Sequence, residues 1–245
     1  MFGGPSLALA GQSVPPSPST LAAERDFLFG RPRGWIGVRG SWLMPAEGGE
    51  LFSFVNEQLT IDKGDFQSAA FSGEAGFVLT SRLEAVFGIE AGKKSVTSEY
   101  RHFIDNQGLP INQTTALTQT NITGGVRFAL LDRGRSVSRY AFVARTITPF
   151  VGAGGGVYYH RFAQAGDFVD FVTLKVFRDT FRSIGFSPSA HVFGGADVRM
   201  WRSVYVTADG RYVWTHADLG PDFVGFDGID LNGFRLSTGV SFFFR

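Results

Sequence analysis

The residues best equipped for chemistry in this 245-residue chain are charged side chains set at alternate positions of otherwise apolar or small-residue stretches: Arg39, Glu74, Glu84, Glu90, Arg127, Asp197, Arg199, Asp209, Arg211 and Arg235. Two carboxyls such as Glu84 and Glu90 are what glycoside hydrolysis requires, one as acid and one as nucleophile or base. Basic residues stand in the same set, however, and burying charge is costly unless it is paired. The favoured reading is therefore a structural ion-pair network, with Glu74 and Glu84 answering Arg39 or Arg127 and Asp209 answering Arg199 or Arg235. Four histidines complete the reactive inventory. His102 and His216 fall in loop-like sequence. His160 and His191 lie on the inward face of successive strands, near the same end and within reach of each other. Without a carboxylate or cysteine at ligand spacing they make no metal site, and no cofactor is called for.

Glycines 152, 154, 155 and 156 suggest a phosphate loop, but a phosphate cradle needs a strand-to-helix turn, usually with Lys and Ser/Thr. No lysine and no helical pattern follows here, so small residues in a crowded strand are the better account. The chain has no cysteine, which excludes disulfides and thiolate metal sites. A formal net charge of +1 gives no reason to expect a nucleic-acid partner.

The elements that must position these charges are strands. High glycine and phenylalanine counts, 32 and 26, suit many closely packed strands. Period-two alternation predicts strands over 34–43, 66–79, 83–94, 118–130, 146–162, 189–200 and 204–214, followed by a final strand that ends the chain. In each, one face is apolar and the other small, polar or charged. The intervening stretches 45–65, 100–115, 163–187 and 216–230 are expected as long loops, 80–82 and 201–203 as tight turns, and 131–145 as a basic connection. No run approaches the roughly 18 apolar residues of a membrane helix. A membrane form of this chain would have to be a closed barrel, since lipid satisfies no backbone hydrogen bond. A soluble barrel around an apolar ligand would show the same alternation with its faces exchanged.

The last nine residues, Ser237 to Arg245, carry the pattern Ser237, Gly239, Phe242, Phe244. This resembles the terminal strand of bacterial outer-membrane β-barrels, whose polar-x-Gly-x-x-aromatic-x-aromatic signal is read by the barrel-assembly machinery; Arg245 follows the final aromatic, where that family usually ends on it. The resemblance covers residues 34–245 and implies an all-β, closed antiparallel up-and-down transmembrane barrel of about eight strands. Long extracellular loops and shorter periplasmic turns would go with it. It further implies a bacterial outer-membrane location, contact with outer-membrane lipid, and a monomer. Residues 1–10, with Ala8-Leu9-Ala10 in small-x-small form, fit a signal-peptide remnant, and 11–33 a flexible segment.

Trp35, Trp42, Tyr158, Tyr159, Trp201, Tyr205, Tyr212 and Trp214 are expected in the aromatic girdles at the membrane interfaces. In a barrel of about eight strands side chains fill the interior, so the implied role is non-enzymatic, structural or surface-interacting, with the charges as a plug. A narrow channel for small or apolar solutes is one alternative. A lipid-modifying enzyme is another, although none of the histidines stands in the His-x-Ser motif of outer-membrane lipid deacylases.

Overall fold

A computed structural model describes residues 27–245 except 47, 49, 63, 106, 139, 224, 226 and 227. The expected signal-peptide remnant and most of the N-terminal segment lie outside these residues. Eight long strands close into one antiparallel ring: β2 (Gly34–Pro45), β3 (Ser68–Val78), β4 (Leu83–Ile104), β5 (Pro110–Ala129), β8 (Ile147–Val169), β9 (Val176–Trp201), β10 (Val204–Ala217) and β12 (Gly233–Phe244). Each pairs with its neighbour in sequence, and β12 pairs with β2 from Gly233↔Pro45 to Phe244↔Gly34. That last pairing removes both sheet edges, so every strand has two partners. No helix among the described residues is long and apolar enough to cross a membrane.

The short elements sit at the two ends. A small sheet of β1 (Phe27–Phe29), β6 (Gly134–Ser138) and β7 (Ala141–Ala144) occupies the end that carries the tight turns and Phe244. At the opposite end helix α1 (Glu50–Gln58) and the two-residue strand β11 (Ile229–Asp230) fill the connections into β3 and β12. Phe27–Phe29, within the stretch 11–33, pairs with β7, and the basic connection 131–145 contains the β6–β7 hairpin.

Two expected long loops are strand. β4 and β5 continue to a turn at 105–109, and β8 and β9 to a turn at 170–175. Their pairing runs on from Lys94↔Leu117 to Glu99↔Asn112, and from Phe162↔Ser183 to Val169↔Val176. A membrane crossing needs only about ten residues per strand, so both hairpins rise well beyond it. Above that height the outward face meets water, which removes the apolar half of the alternation. The threonines, serines and glutamines remaining there form ladders as readily as they form loops.

Candidate functional site

The register assigns the two faces of the wall. Phe71, Phe87, Ile122, Val192, Leu236 and Val240 point outward and are exposed, whereas Glu84 and Asp197, at 1 % and 0 %, point inward. Apolar residues thus face the surroundings and charges face the lumen. This is the arrangement of a barrel dissolved in lipid, and the reverse of a soluble apolar-ligand barrel.

The lumen has three levels. In the middle, Arg39 donates to Glu74 at 2.7 Å and to Asp209 at 2.5 Å, and Arg211 donates to the other oxygen of Glu74 at 2.7 Å. Arg127 reaches Glu84 at 2.6 Å and Asp197 at 3.3 Å. Its guanidinium lies between the Trp35 ring, 4.4 Å from the centroid, and the Phe150 ring at 4.6 Å. A cation held between two ring faces gains quadrupole attraction in a site without water. Glu84 also accepts from the Trp35 indole N–H at 3.0 Å. Higher up, Arg235 pairs with Glu90, and Tyr158 donates to Gln119. Hydroxyl donors line the same wall: Thr207 donates to Asp197 at 2.9 Å and Ser189 to Asn121 at 3.1 Å, and Ser41 meets Ser237 at 3.1 Å.

These contacts redistribute the expected partners. Glu74 meets Arg39 and Glu84 meets Arg127, while Asp209 turns to Arg39 instead of Arg199 or Arg235. Arg199, near the lower end of β9, is half-buried and takes no part in these pairs. One member comes from outside the strands. Arg133, in the basic connection, pairs with Glu84 and contacts Asp197 at 2.9 Å, with its guanidinium 5.1 Å from the Phe243 ring centroid. Only the excess of arginine in that connection could have signalled this.

Below the network lies an aromatic floor of Trp35, Tyr205 and Phe243 with Val86. Trp35, Tyr158 and Tyr205 are therefore lumen residues, which corrects their expected place in the interfacial girdles; Trp42, Trp201 and Trp214 are exposed. Trp35 fits inside because Gly76 faces it: a Cβ there would overlap the indole. Above the network, Leu59, Ile61, Phe66, Leu117, Phe162, Phe223 and other apolar residues form a buried cluster that includes Val55 of α1. The middle of the lumen is charged and its outer mouth is apolar.

His160 and His191 are both buried, at 0 % and 4 %. His160 is level with Gly185 on β9, and His191 lies six residues further along that strand. At about 3.3 Å per residue that offset is roughly 20 Å, so the two do not touch. Among the described residues no group of three or more His, Cys, Asp or Glu could hold a metal ion. Glycines 152, 154, 155 and 156 lie inside β8, paired on both sides, and form no turn.

In the terminal motif, Ser237 and Gly239 face the lumen while Phe242 and Phe244 face outward. Gly239 is required by close approach, because a Cβ would sit 2.6 Å from Arg39 Cα and 2.8 Å from its Cγ.

No protein-family model and no curated protein matches the sequence. Among solved structures the fold is similar to Neisserial surface protein A, with a TM-score of 0.48 and 12 % identity over 86 % of this chain and 97 % of that one. It is also similar to Ail, the attachment invasion locus protein of Yersinia pestis, with a TM-score of 0.39 and 11 % identity over 88 % of this chain and all of that one. A third is the N-terminal β-barrel domain of Pseudomonas aeruginosa OprF, with a TM-score of 0.38 and 12 % identity over 88 % of this chain and 99 % of that one. The closed ring, apolar exterior and charged lumen are those of an eight-stranded transmembrane barrel.

Proposed function

We propose that the protein is a non-enzymatic outer-membrane barrel with a structural or surface-interaction role, its lumen plugged by the charge network around Arg39, Glu74, Arg127 and Asp209. The observation that carries this reading is the cavity beside the network. The space lined by Glu74, Glu90, Asn121 and Arg211 amounts to about 10 Å³, room for about one water. Five arginines face five carboxylates there, so charge is balanced and each ion has a partner. Surface interaction would fall to the β4–β5 and β8–β9 hairpins, which stand clear of the membrane.

In biogenesis, Ser237, Gly239, Phe242 and Phe244 act as the signal for the barrel-assembly machinery, and the folded barrel works as a monomer in outer-membrane lipid. The test is planar-bilayer recording of the refolded protein. The expected result is conductance no greater than that of protein-free lipid, together with a folded band that shifts on heating in gel electrophoresis. Stable unitary conductance that responds to Arg39→Ala would replace this reading with that of a narrow channel. Lipid products that vanish in His160→Ala or His191→Ala would replace it with an enzyme.

A further inference from the structure

The end of the barrel that carries the tight turns is ringed by arginine. Arg33, Arg82, Arg145, Arg202 and Arg245 each stand within two residues of the end of a long strand, and all are exposed. Asp132 is the one exposed carboxylate at this end among the described residues, and it is paired with Arg82. The opposite end mixes its signs, as where Asp167, Asp170 and Asp179 stand among Lys175 and Arg178 on the β8–β9 hairpin. The arginines also border the apolar belt. Leu79, Ile147, Trp201 and Phe244 are exposed within three residues of Arg82, Arg145, Arg202 and Arg245 respectively. At that height an arginine lays its stem along apolar surface and carries its charge to the headgroups.

Three arginines of this end converge on one space. Arg31, Arg33 and Arg245 line an open cavity of about 240 Å³ together with Val78, Leu79 and Thr80, and no carboxylate lines it. All three are exposed, and none is in an ion pair among the described residues. The backbone that presents them is pinned from three sides. Gly30 N–H donates to Tyr140 O at 3.1 Å, Arg33 N–H to Phe244 O at 2.9 Å, and Val78 N–H to Arg33 O at 2.8 Å. Gly30 takes a φ of +79°, and Arg245 Nε lies 3.4 Å from where a Cβ on it would stand. The residue that follows the terminal aromatic of the assembly motif is thus turned against this loop. Like charges gathered around a shared space repel one another, and an anion placed among them removes that cost. Guanidinium forks match phosphate oxygens two at a time. The wall adds a second requirement, because Leu79 continues the exposed outward row of Phe77 toward lipid. The occupant therefore carries charge at one end and apolar chains at the other.

We propose that this cavity binds the phosphate of an anionic phospholipid, with Arg31, Arg33 and Arg245 around the headgroup and the acyl chains along Phe77 and Leu79. The inference rests on the barrel standing in lipid, and it is independent of the state of the lumen. Unitary conductance would overturn the plugged reading and leave this one intact.

The test is native mass spectrometry of the refolded full chain in dodecyl maltoside micelles, titrated with dioleoylphosphatidylglycerol or dioleoylphosphatidylcholine. The expected result is retention of the phosphatidylglycerol at a concentration roughly tenfold or more below that needed for the zwitterionic lipid. Arg245→Gln should weaken the anionic lipid about fivefold, and Arg31→Gln, Arg33→Gln and Arg245→Gln together should abolish the preference. Arg135→Gln, exposed on β6 and outside the cavity, is the charge control and should leave the preference unchanged. Inorganic phosphate equimolar with the lipid should not displace it. Heat-modifiable migration confirms that each variant is folded. Equal retention of the two lipids would overturn the proposal, as would a preference that survives in the folded triple variant or falls as far in Arg135→Gln as in Arg245→Gln. Displacement by inorganic phosphate would also overturn it, by making the ligand a free anion.

Discussion

The middle and the mouth of the lumen bury their side chains by opposite means. In the middle, arginines and carboxylates from β2, β3, β4, β5, β9, β10 and β12 meet at fixed distances, and the pocket lined by Glu74, Glu90 and Arg211 holds about 10 Å³. In the mouth, aromatic and aliphatic side chains from a helix, a turn and two hairpins pack around a cavity of about 210 Å³. Ion pairs are directional, and removing one partner leaves the other charged and dry. Apolar packing is non-directional and tolerates a gap at a cost that grows with its size. The lesson is that rigidity in this barrel is set by the kind of contact, since both regions hang on the same strands.

The strongest way to break the comparison is Arg127→Met. It leaves Glu84 and Asp197 to share Arg133 alone and should cost about 3–5 kcal/mol, read as a lowered urea midpoint of the refolded protein in lipid vesicles. In the mouth, Leu59→Ala removes a residue that is 2 % exposed and should cost about 2–3 kcal/mol. The loss should be local: limited proteolysis near α1 should accelerate while the heat-modifiable band persists. If Leu59→Ala instead lowered the global midpoint as far as Arg127→Met does, the two regions would be one cooperative unit.

Smaller effects sharpen the boundary of the charged region. Gly239→Ala presses a methyl group onto Arg39 and should cost about 1–3 kcal/mol, again as a shift in urea midpoint. Labelling should separate the faces of one strand. A lipid-confined maleimide should modify Phe87→Cys and spare Glu84→Cys, three residues away on β4.

The smallest effect is expected outside the lumen, where Arg82 donates to Asp132 at 2.8 Å and ties the β3–β4 turn to the next connection. That hydrogen bond, with the nearby charges of Arg82, Arg145 and Arg31, holds the Asp132 carboxyl below its ordinary value. A depressed carboxyl pKa contributes stability above the unfolded-state value and loses it as pH falls through the folded value. Thermal unfolding scans should therefore show a slight loss from pH 6 to pH 3 that is absent in Asp132→Asn.

The wall was legible in the sequence because alternation at period two survives wherever one face meets lipid, as at Phe87 beside Glu84. The height of each residue in the lumen was not. Arg39 faces Ser72 across the β2–β3 ladder but bonds to Asp209 from β10, a match that depends on strand stagger rather than on sequence spacing. Trp35 appeared interfacial by type and position, and its inward turn depends on the small residue facing it at position 76. Helix α1 was hidden because a short amphipathic segment in a polar stretch has little periodicity of its own and is held by the mouth it covers.

The contribution of Arg133 ties the charge balance of the lumen to one end of the barrel. Of the five arginines in the network, Arg39, Arg127, Arg211 and Arg235 belong to the strands of the wall, whereas Arg133 lies beside the β6–β7 hairpin at the end of the barrel that carries the tight turns. Closing the ring alone therefore encloses one more carboxylate than arginine, and the interior becomes neutral only when that hairpin docks. The wall by itself is thus an acidic tube, and one short connection outside it completes the charge balance of the lumen.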